Sequence, residues 1–286
     1  MTATIIAEGK TKIIVDARDT NGPDDGCTTC KKVLVISKDD ITAGDGAARE
    51  ELAGKAKACN KTTVNVFKLL KAKGIPTHFL SWFDDQSFLA LHAEMIPLEV
   101  VTRRIAAGSY LKRNPNSWDG QVFSVVEYEL FYKDDEQHDP IVRLFDDRQI
   151  CLYRADVPTD AALCLGTRKL LTDDGKEIDY DKMRIMAFQV FLILEEAWLE
   201  LGLVLYDMKI EFGLVDDGLG GKRLVVADVI TNDEWRLRDG DGNQLDKQVF
   251  RDAVRNNTVG EVVDDIIENY EMIAKLSEFL PKMARV

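Results

Sequence analysis

Apolar positions along this chain recur at two spacings, and these divide it into helices and strands. From Ala47 to Lys73, residues Leu52, Ala56, Cys59, Val66 and Leu70 fall three to four apart, and Gly74 with Pro76 ends the pattern. This predicts an amphipathic helix. A second helix is predicted over Asp181–Leu201, with Met183, Met186, Val190, Leu194, Trp198 and Leu201 on one stripe and Gly202 as its stop. A third covers Val259–Phe279, with Val263, Ile266, Ile267, Tyr270, Ile273 and Leu276 inward. Asp246–Asp252 begins or precedes another helix. Short runs at period two, or rich in Val and Ile, predict strands at Ile13–Val15, Lys32–Ser37, Thr77–Phe83, Phe88–Leu91, Met95–Ala107 and Glu127–Lys133. Pro97 suits an edge strand or a strand entry. Arg18–Lys32 is polar and loop-like, and within Ile141–Glu177 only Ala161–Leu171 suggests an element, a short helix or strand.

The pattern centres on Leu203–Leu237. Two apolar runs, Leu203–Phe212 and Arg223–Ile230, flank a Gly/Asp cluster at Asp216–Gly221, which predicts a hairpin. Alternation places Asp207, Lys209 and Glu211 on one face and Tyr206, Met208, Ile210 and Phe212 on the other. Asp228 interrupts the second run, so pairing brings it near Glu211 or Asp207. Facing acids repel unless a positive charge lies between them. A magnesium ion carrying nucleotide phosphates would serve, since it favours one or two carboxylates plus phosphate oxygens. A solvated strand face is the plain alternative.

Composition narrows the function. The 286 residues allow one large domain or two lobes. A net charge of −13 disfavours nucleic acid and anionic membranes as partners and makes a local cluster of cations informative. No apolar run approaches the roughly 18–20 residues that span a bilayer, and the first residues lack the basic start of a signal peptide. Five cysteines are expected to be free thiols of a reducing, cytoplasmic protein. Cys27-Thr28-Thr29-Cys30 lacks a second CxxC and is expected to be an incidental loop pair rather than a zinc or redox site.

Three further stretches carry candidate chemistry. Glu8-Gly9-Lys10-Thr11-Lys12 puts a glycine between two lysines at the mouth of a strand, where backbone N–H groups and cations can wrap a phosphate. Gly44 and Gly46 suit a tight functional loop. Arg103–Arg113 concentrates four cations around Ala106-Ala107-Gly108-Ser109, an arrangement suited to an anion. His138, before Asp139-Pro140, reads as a turn residue ahead of a general base.

Together these stretches resemble the SAICAR synthetase (phosphoribosylaminoimidazole-succinocarboxamide synthase) family, nearest its animal-type branch. The matching pieces are Glu8–Lys12, Lys38–Gly46, Gly74–Thr77, Glu94–Arg113, Lys133–Pro140, Asp207–Gly213 and Ala227–Leu237. The resemblance implies an α+β fold of two lobes with ATP in the cleft between them. Residues 1–94 would form an antiparallel-sheet lobe with one helix, and 95–286 a larger α+β lobe carrying the acidic hairpin and the C-terminal helix. It implies a ligase joining L-aspartate to the carboxylate of CAIR (carboxyaminoimidazole ribonucleotide), with ATP and Mg2+. By the same resemblance Lys10, Lys12 and Met95 bind ATP, Glu211 and Asp228 bind nucleotide and metal, and Asp207 and Lys209 complete the catalytic strand. Arg103, Ser109 and Arg236 grip substrate phosphate and carboxylate, with Asp40, Asp233, Lys247 and Arg251 as further substrate contacts. The partners implied are small molecules, with a homo-oligomer left open. A kinase would share ATP and acids, but the chain has no HRD-type loop, DFG or GxGxxG. A nucleotide-binding module without activity is the non-enzymatic alternative.

Overall fold

The computed structural model describes residues 4–17, 30–44, 46–145, 149–159 and 163–285. The chain begins with β1 (Ile5–Glu8), β2 (Lys12–Asp16), β3 (Lys32–Ser37), β4 (Asp40–Ala43) and β5 (Ala48–Glu51), then helix α1 (Lys55–Ala72). Strands β6 (Phe79–Trp82), β7 (Ser87–Leu91) and β8 (Glu94–Ile105) precede the short helix α2 (Ser109–Arg113). Strands β9 (Val122–Tyr132), β10 (Ile141–Phe145), β11 (Gln149–Tyr153) and β12 (Cys164–Lys169) lead to α3 (Tyr180–Glu200). The remainder holds β13 (Val204–Asp216), β14 (Lys222–Ala227), β15 (Trp235–Arg238), α4 (Gln248–Asn256) and α5 (Val259–Ser277).

These elements build an α+β fold on two antiparallel sheets. The smaller has the order β1-β2-β3-β7-β6, and the larger runs β12-β11-β10-β9-β8-β13-β14 with β15 beside β13. Helix α1 covers one face of the small sheet, where Phe67 meets Phe79 and Phe88 at ring distances of 5.9 and 6.0 Å. Helix α3 covers one face of the large sheet with Met183, Met186, Val190, Leu194 and Trp198, all buried as their stripe predicts. Against it lie Met208, Ile210 and Phe212 of β13 and Ile96, Leu98 and Val100 of β8. Each such side chain contributes about 1.5–3 kcal/mol when fully buried. Because strands alternate, burying the even positions turns Glu99, Val101, Arg103, Asp207, Lys209 and Glu211 to the opposite face. The strap Pro76–His78 ties the sheets together. The His78 N–H donates to Val226 O at 3.0 Å and the Val226 N–H to Pro76 O at 2.9 Å.

The structure departs from the sequence pattern at three places. The helix predicted from Ala47 starts at Lys55, because Ala48–Glu51 pairs with β4 as strand β5. Its opening N–H groups draw on a remote acceptor, the Asp39 carboxylate, which takes the Ala56 N–H at 2.7 Å. Pro97 lies in a central strand, not at an edge. The β8–β13 register slips between Glu211 and Gly213, and this bulge accommodates the missing donor. The short helix or strand expected over residues 161–171 is no departure, since strand β12 lies there. Finally, Cys59, Cys151 and Cys164 are free but Cys30 is disulfide-bonded, which corrects the expectation of five free thiols. Cys27 and Asp45 lie outside the described residues. Among the described residues no helix is long and apolar enough to cross a membrane.

Candidate active site

The uncovered face of the large sheet forms the floor of a cleft of about 670 Å3, roofed by the Gly9–Lys12 turn. Glu99, Val101 and Arg103 of β8 and Asp207, Lys209 and Glu211 of β13 point into it at period two. Asp228, Asp233, Glu234 and Arg236 also line it, with Lys247 and Arg251 from the start of α4 and with Lys133, Asp135 and Asp139.

Charges in the cleft sort into three groups. In the first, Glu211 pairs with Lys133 at 2.7 Å and Lys209 at 3.4 Å, and Lys209 pairs with Glu99 at 2.6 Å. Lys12 is ion-paired with Asp228. The rung Glu211–Ala227 is the last of the hairpin, so Asp228 follows immediately beyond Glu211's partner. Burial pulls the Lys12 ammonium down, but Asp228 and Glu211 outweigh it and its pKa is raised. Burial raises the Asp228 carboxyl, and Lys12 with Lys209 and Lys133 reverses this to hold it below the ordinary range. Both groups are therefore charged at neutral pH, and lysines fill the gap between the acids.

In the second group Asp207 is shared by two guanidinium groups. Arg103 bonds one oxygen, and Arg236 Nη1 lies 2.9 Å from both. Arg103 also reaches Glu129 at 3.3 Å and lies over the Tyr110 ring at 4.9 Å. Arg113 holds Glu129 with contacts of 2.7–2.9 Å. The Arg103 Nε is buried without a protein acceptor. Gly108, at φ 61°, lies against the Arg236 guanidinium so closely that any Cβ would overlap it. The glycine of the Ala-Ala-Gly-Ser turn thus makes room for a cation beside Ser109.

The third group surrounds Asp233. Lys55, almost fully buried, donates to Oδ2 at 2.9 Å, the Tyr270 hydroxyl donates to Oδ1 at 2.5 Å, and Lys247 lies at 4.0 Å. Burial opposes the charge on Asp233, yet Lys247 and Lys55 hold its pKa well below the usual range. Burial lowers the Lys247 pKa, and Asp233 does not fully offset Arg251 and Lys55 beside it. Glu234 accepts from the Thr231 N–H at 2.9 Å and the Thr231 hydroxyl at 2.8 Å. Burial and then Asp233 push its pKa up to about 7. A carboxyl raised in the folded state binds its proton there while the unfolded chain has already released it. Stability is therefore lost as pH rises from the ordinary 4.5 through about 7. Replacing Glu234 by Gln is expected to make the ligand-free protein about 1–3 kcal/mol more stable at pH 8, and much less so at pH 5. Urea unfolding of both proteins at the two pH values measures this, and a pH-independent difference would contradict it.

Of the residues singled out in the sequence, Lys10, Lys12, Arg103, Ser109, Asp207, Lys209, Glu211, Asp228, Asp233, Arg236, Lys247 and Arg251 all line this cleft. Two do not. Asp40 is held by Arg49 at 2.7 Å and Lys38 at 3.3 Å, where it anchors the β4–β5 hairpin. Met95 lies opposite Gly213 at the beginning of β8, beyond the cleft lining. Glu99, Lys133 and Glu234 were missed. The period-two spacing Glu99, Val101, Arg103 carried the signal for the first, and the Thr231-x-x-Glu234 pattern of a capping turn carried it for the last. His138 caps the short helical turn Asp135–Gln137, as a turn residue does.

A cleft between two antiparallel sheets, lined by paired carboxylates, lysines and a separate arginine cluster, defines an enzyme of the two-lobed kind that works on anionic substrates. The SAICAR synthetase family model matches residues 5–266, and the chain belongs to that family. It is 39% identical over 276 residues to the phosphoribosylaminoimidazole-succinocarboxamide synthase of Chloroflexus aggregans, covering 96% of this chain and 95% of that one. It is 37% identical over 281 residues to a bifunctional phosphoribosylaminoimidazole carboxylase/phosphoribosylaminoimidazole succinocarboxamide synthetase of Drosophila melanogaster. That match covers 97% of this chain but 58% of the fly protein, so the chain spans little more than half of that relative. A solved SAICAR synthetase (type-2) in complex with ADP superposes with a TM-score of 0.68 at 31% identity, covering 92% of this chain and 96% of the other.

Proposed function

We infer that this chain is the ATP-dependent carbon–nitrogen ligase that joins L-aspartate to the carboxylate of CAIR, giving SAICAR, ADP and phosphate in purine biosynthesis. The observation that carries it is the meeting of two unlike sites in one cleft. Lysines and acids suited to nucleotide phosphates stand at Lys10, Lys12, Glu211 and Asp228, and a separate arginine cluster stands at Arg103, Ser109 and Arg236. A phosphoryl transfer to water or a hydroxyl has no evident use for the second. The ADP bound by the type-2 SAICAR synthetase supports the nucleotide assignment.

A carboxylate is a poor acyl donor. In the proposed reaction the CAIR carboxylate oxygen attacks the γ-phosphorus of ATP and ADP leaves with the former bridging electrons. The aspartate amine then attacks the acyl carbon, phosphate leaves, and the nitrogen loses a proton. Lys10 and Lys12 would offset phosphate charge in the first step, while Arg103, Ser109 and Arg236 hold the ribosyl phosphate of CAIR. Lys247 and Arg251 suit the carboxylates of aspartate, and Lys209 steadies developing charge beside Glu211. Catalysis of this kind is positioning and charge stabilisation. Among the described residues no cluster of three or more metal-binding side chains occurs. The Glu211–Asp228 pair nevertheless fits a magnesium ion that takes its other ligands from phosphate and water. Magnesium bound there would neutralise phosphate charge. The small lobe is assigned to residues 1–94 and the larger to 95–286, and Met95 at the joint, outside the lining of the cleft, is assigned to the adenine. Asp40 is retained as a support of the nearby glycine loop. A cytoplasmic setting is part of the same proposal.

Omitting one substrate at a time tests the reading. ADP is expected only when ATP, magnesium, CAIR and L-aspartate are all present, with SAICAR formed in equal amount. Rapid ADP release without aspartate, or phosphate appearing on a hydroxyl, would overturn the ligase and favour a kinase.

A further inference from the structure

Asp228 has a backbone that residues other than glycine adopt uncommonly. Its φ is 65°, in the left-handed region that favours glycine. The other positive-φ non-glycines among the described residues are His138, Asp139 and Asn257, which lie in turns at the ends of short helices. Asp228 differs from them in following directly on the buried end of strand β14, and like Asp139 it lines the cleft. Such a conformation persists only where the surroundings over-determine it.

We propose that His78 is the positioning residue that holds Asp228 in this conformation and so aims its carboxylate at Lys12 and at the place where the magnesium of the nucleotide would sit. The proposal rests on the nucleotide role assigned to Asp228 above. The His78 Nε2 lies 3.0 Å from the Asp228 carbonyl oxygen. A carbonyl only accepts, so Nε2 carries the proton and donates. The left-handed turn takes this carbonyl beyond the last rung of the β13–β14 ladder, and the imidazole replaces the lost ladder donor.

The ring itself cannot drift. It is buried and packs edge-to-face on Phe67 and Phe88 at 5.4 and 5.7 Å. Its backbone is bonded on both sides, the N–H to Val226 O at 3.0 Å and the carbonyl accepting the Leu91 N–H at 2.8 Å. The clamp therefore joins the strap of the small sheet to the acid that stands at the end of the large one.

The test compares His78→Gln, whose amide N–H can reach the same oxygen, with His78→Phe, which fills the space without a donor. Magnesium–ADP affinity is measured by calorimetry with neither CAIR nor aspartate present, beside KM values for all substrates. In His78→Phe the ADP affinity and the KM for ATP are expected to worsen at least about tenfold, with the KM for CAIR and aspartate within about twofold; His78→Gln should keep most of the affinity. A folded His78→Phe that binds ADP like the wild type would overturn the clamp. So would His78→Gln failing as badly as His78→Phe, since a restored donor would then restore nothing. Should His78→Phe not fold, the side-chain 15N spectrum of the wild type decides. It must show His78 as the neutral Nε2–H tautomer, and an Nδ1–H tautomer would end the proposal. Because ADP binding is read without the acyl substrates, a wrong assignment of those substrates would leave this result unchanged.

Discussion

Replacing Asp228 by Asn is expected to lose most activity and to weaken magnesium–nucleotide binding by about tenfold or more, the loss of a charge-assisted contact of about 1.5–3 kcal/mol. Asparagine suits the substitution because it tolerates the left-handed backbone that Asp228 adopts, so the change removes charge and leaves the turn. A neutral amide neither balances a metal ion nor pairs with Lys12. The Lys12 ammonium, whose pKa is raised by Asp228 and Glu211 against its burial, then keeps only part of its support. The same pairing makes a pH statement. The Asp228 carboxyl is held below its ordinary value, so its contribution to stability is present above about pH 4 and is lost as pH falls further. Asp228→Asn should therefore flatten the acid limb of the stability curve as well as weaken binding. Nucleotide affinity and turnover equal to wild type across a magnesium titration would remove Asp228 from the site.

Arg103→Ala is the second large effect, and it has two parts. Arg103 is 3% exposed and shared between Asp207 and Glu129. Breaking a buried pair from one side costs about 3–5 kcal/mol, because the partner is left charged in a dry site. Here Arg236 still serves Asp207 and Arg113 still serves Glu129, so the cost should fall towards the lower end of that range. The functional part is selective. The KM for CAIR should rise about tenfold or more while that for ATP changes little, since the arginine cluster and the Lys12–Asp228 pair occupy different parts of the cleft. Kinetics well below the variant's melting temperature, with both substrates varied, separate the two parts. Equal effects on both KM values would make Arg103 a scaffold residue of the floor rather than a grip on substrate.

The arginine cluster also explains the glycine between Ala107 and Ser109. In the sequence Gly108 suggested backbone approaching a phosphate. In the structure the space it leaves is occupied by the Arg236 guanidinium, 128 positions further along the chain. Both accounts put a small residue beside an anion site, but only the fold shows that the neighbour is a cation. Lys55 is a comparable case. Its position in α1 looked like part of an amphipathic helix, and it is instead a buried partner of Asp233, fixed together with Tyr270 of α5. Asp233 is thereby held as a charged post beside Lys247, with both of its oxygens already engaged.

What the sequence determined by itself was whatever depends on local spacing. The stripes Met183–Trp198 and Ile266–Ile273 specify helices, and the alternation through Leu203–Phe212 specifies a strand with Asp207, Lys209 and Glu211 on one face. A period is a property of a few neighbouring residues, and burying one face of it dictates where the other must point. The tertiary structure alone decided which groups meet. It set Pro97 in a central strand through a bulge, made β5 of residues that read as helix, bent Asp228 out of its strand under His78, and raised Glu234 by enclosing it beside Asp233. Apart from the local β4–β5 hairpin, these rest on the packing of segments far apart in the chain, which for Glu234 supplies the burial. Their partners, their dielectric surroundings and their charges exist only once the two sheets have closed on one another.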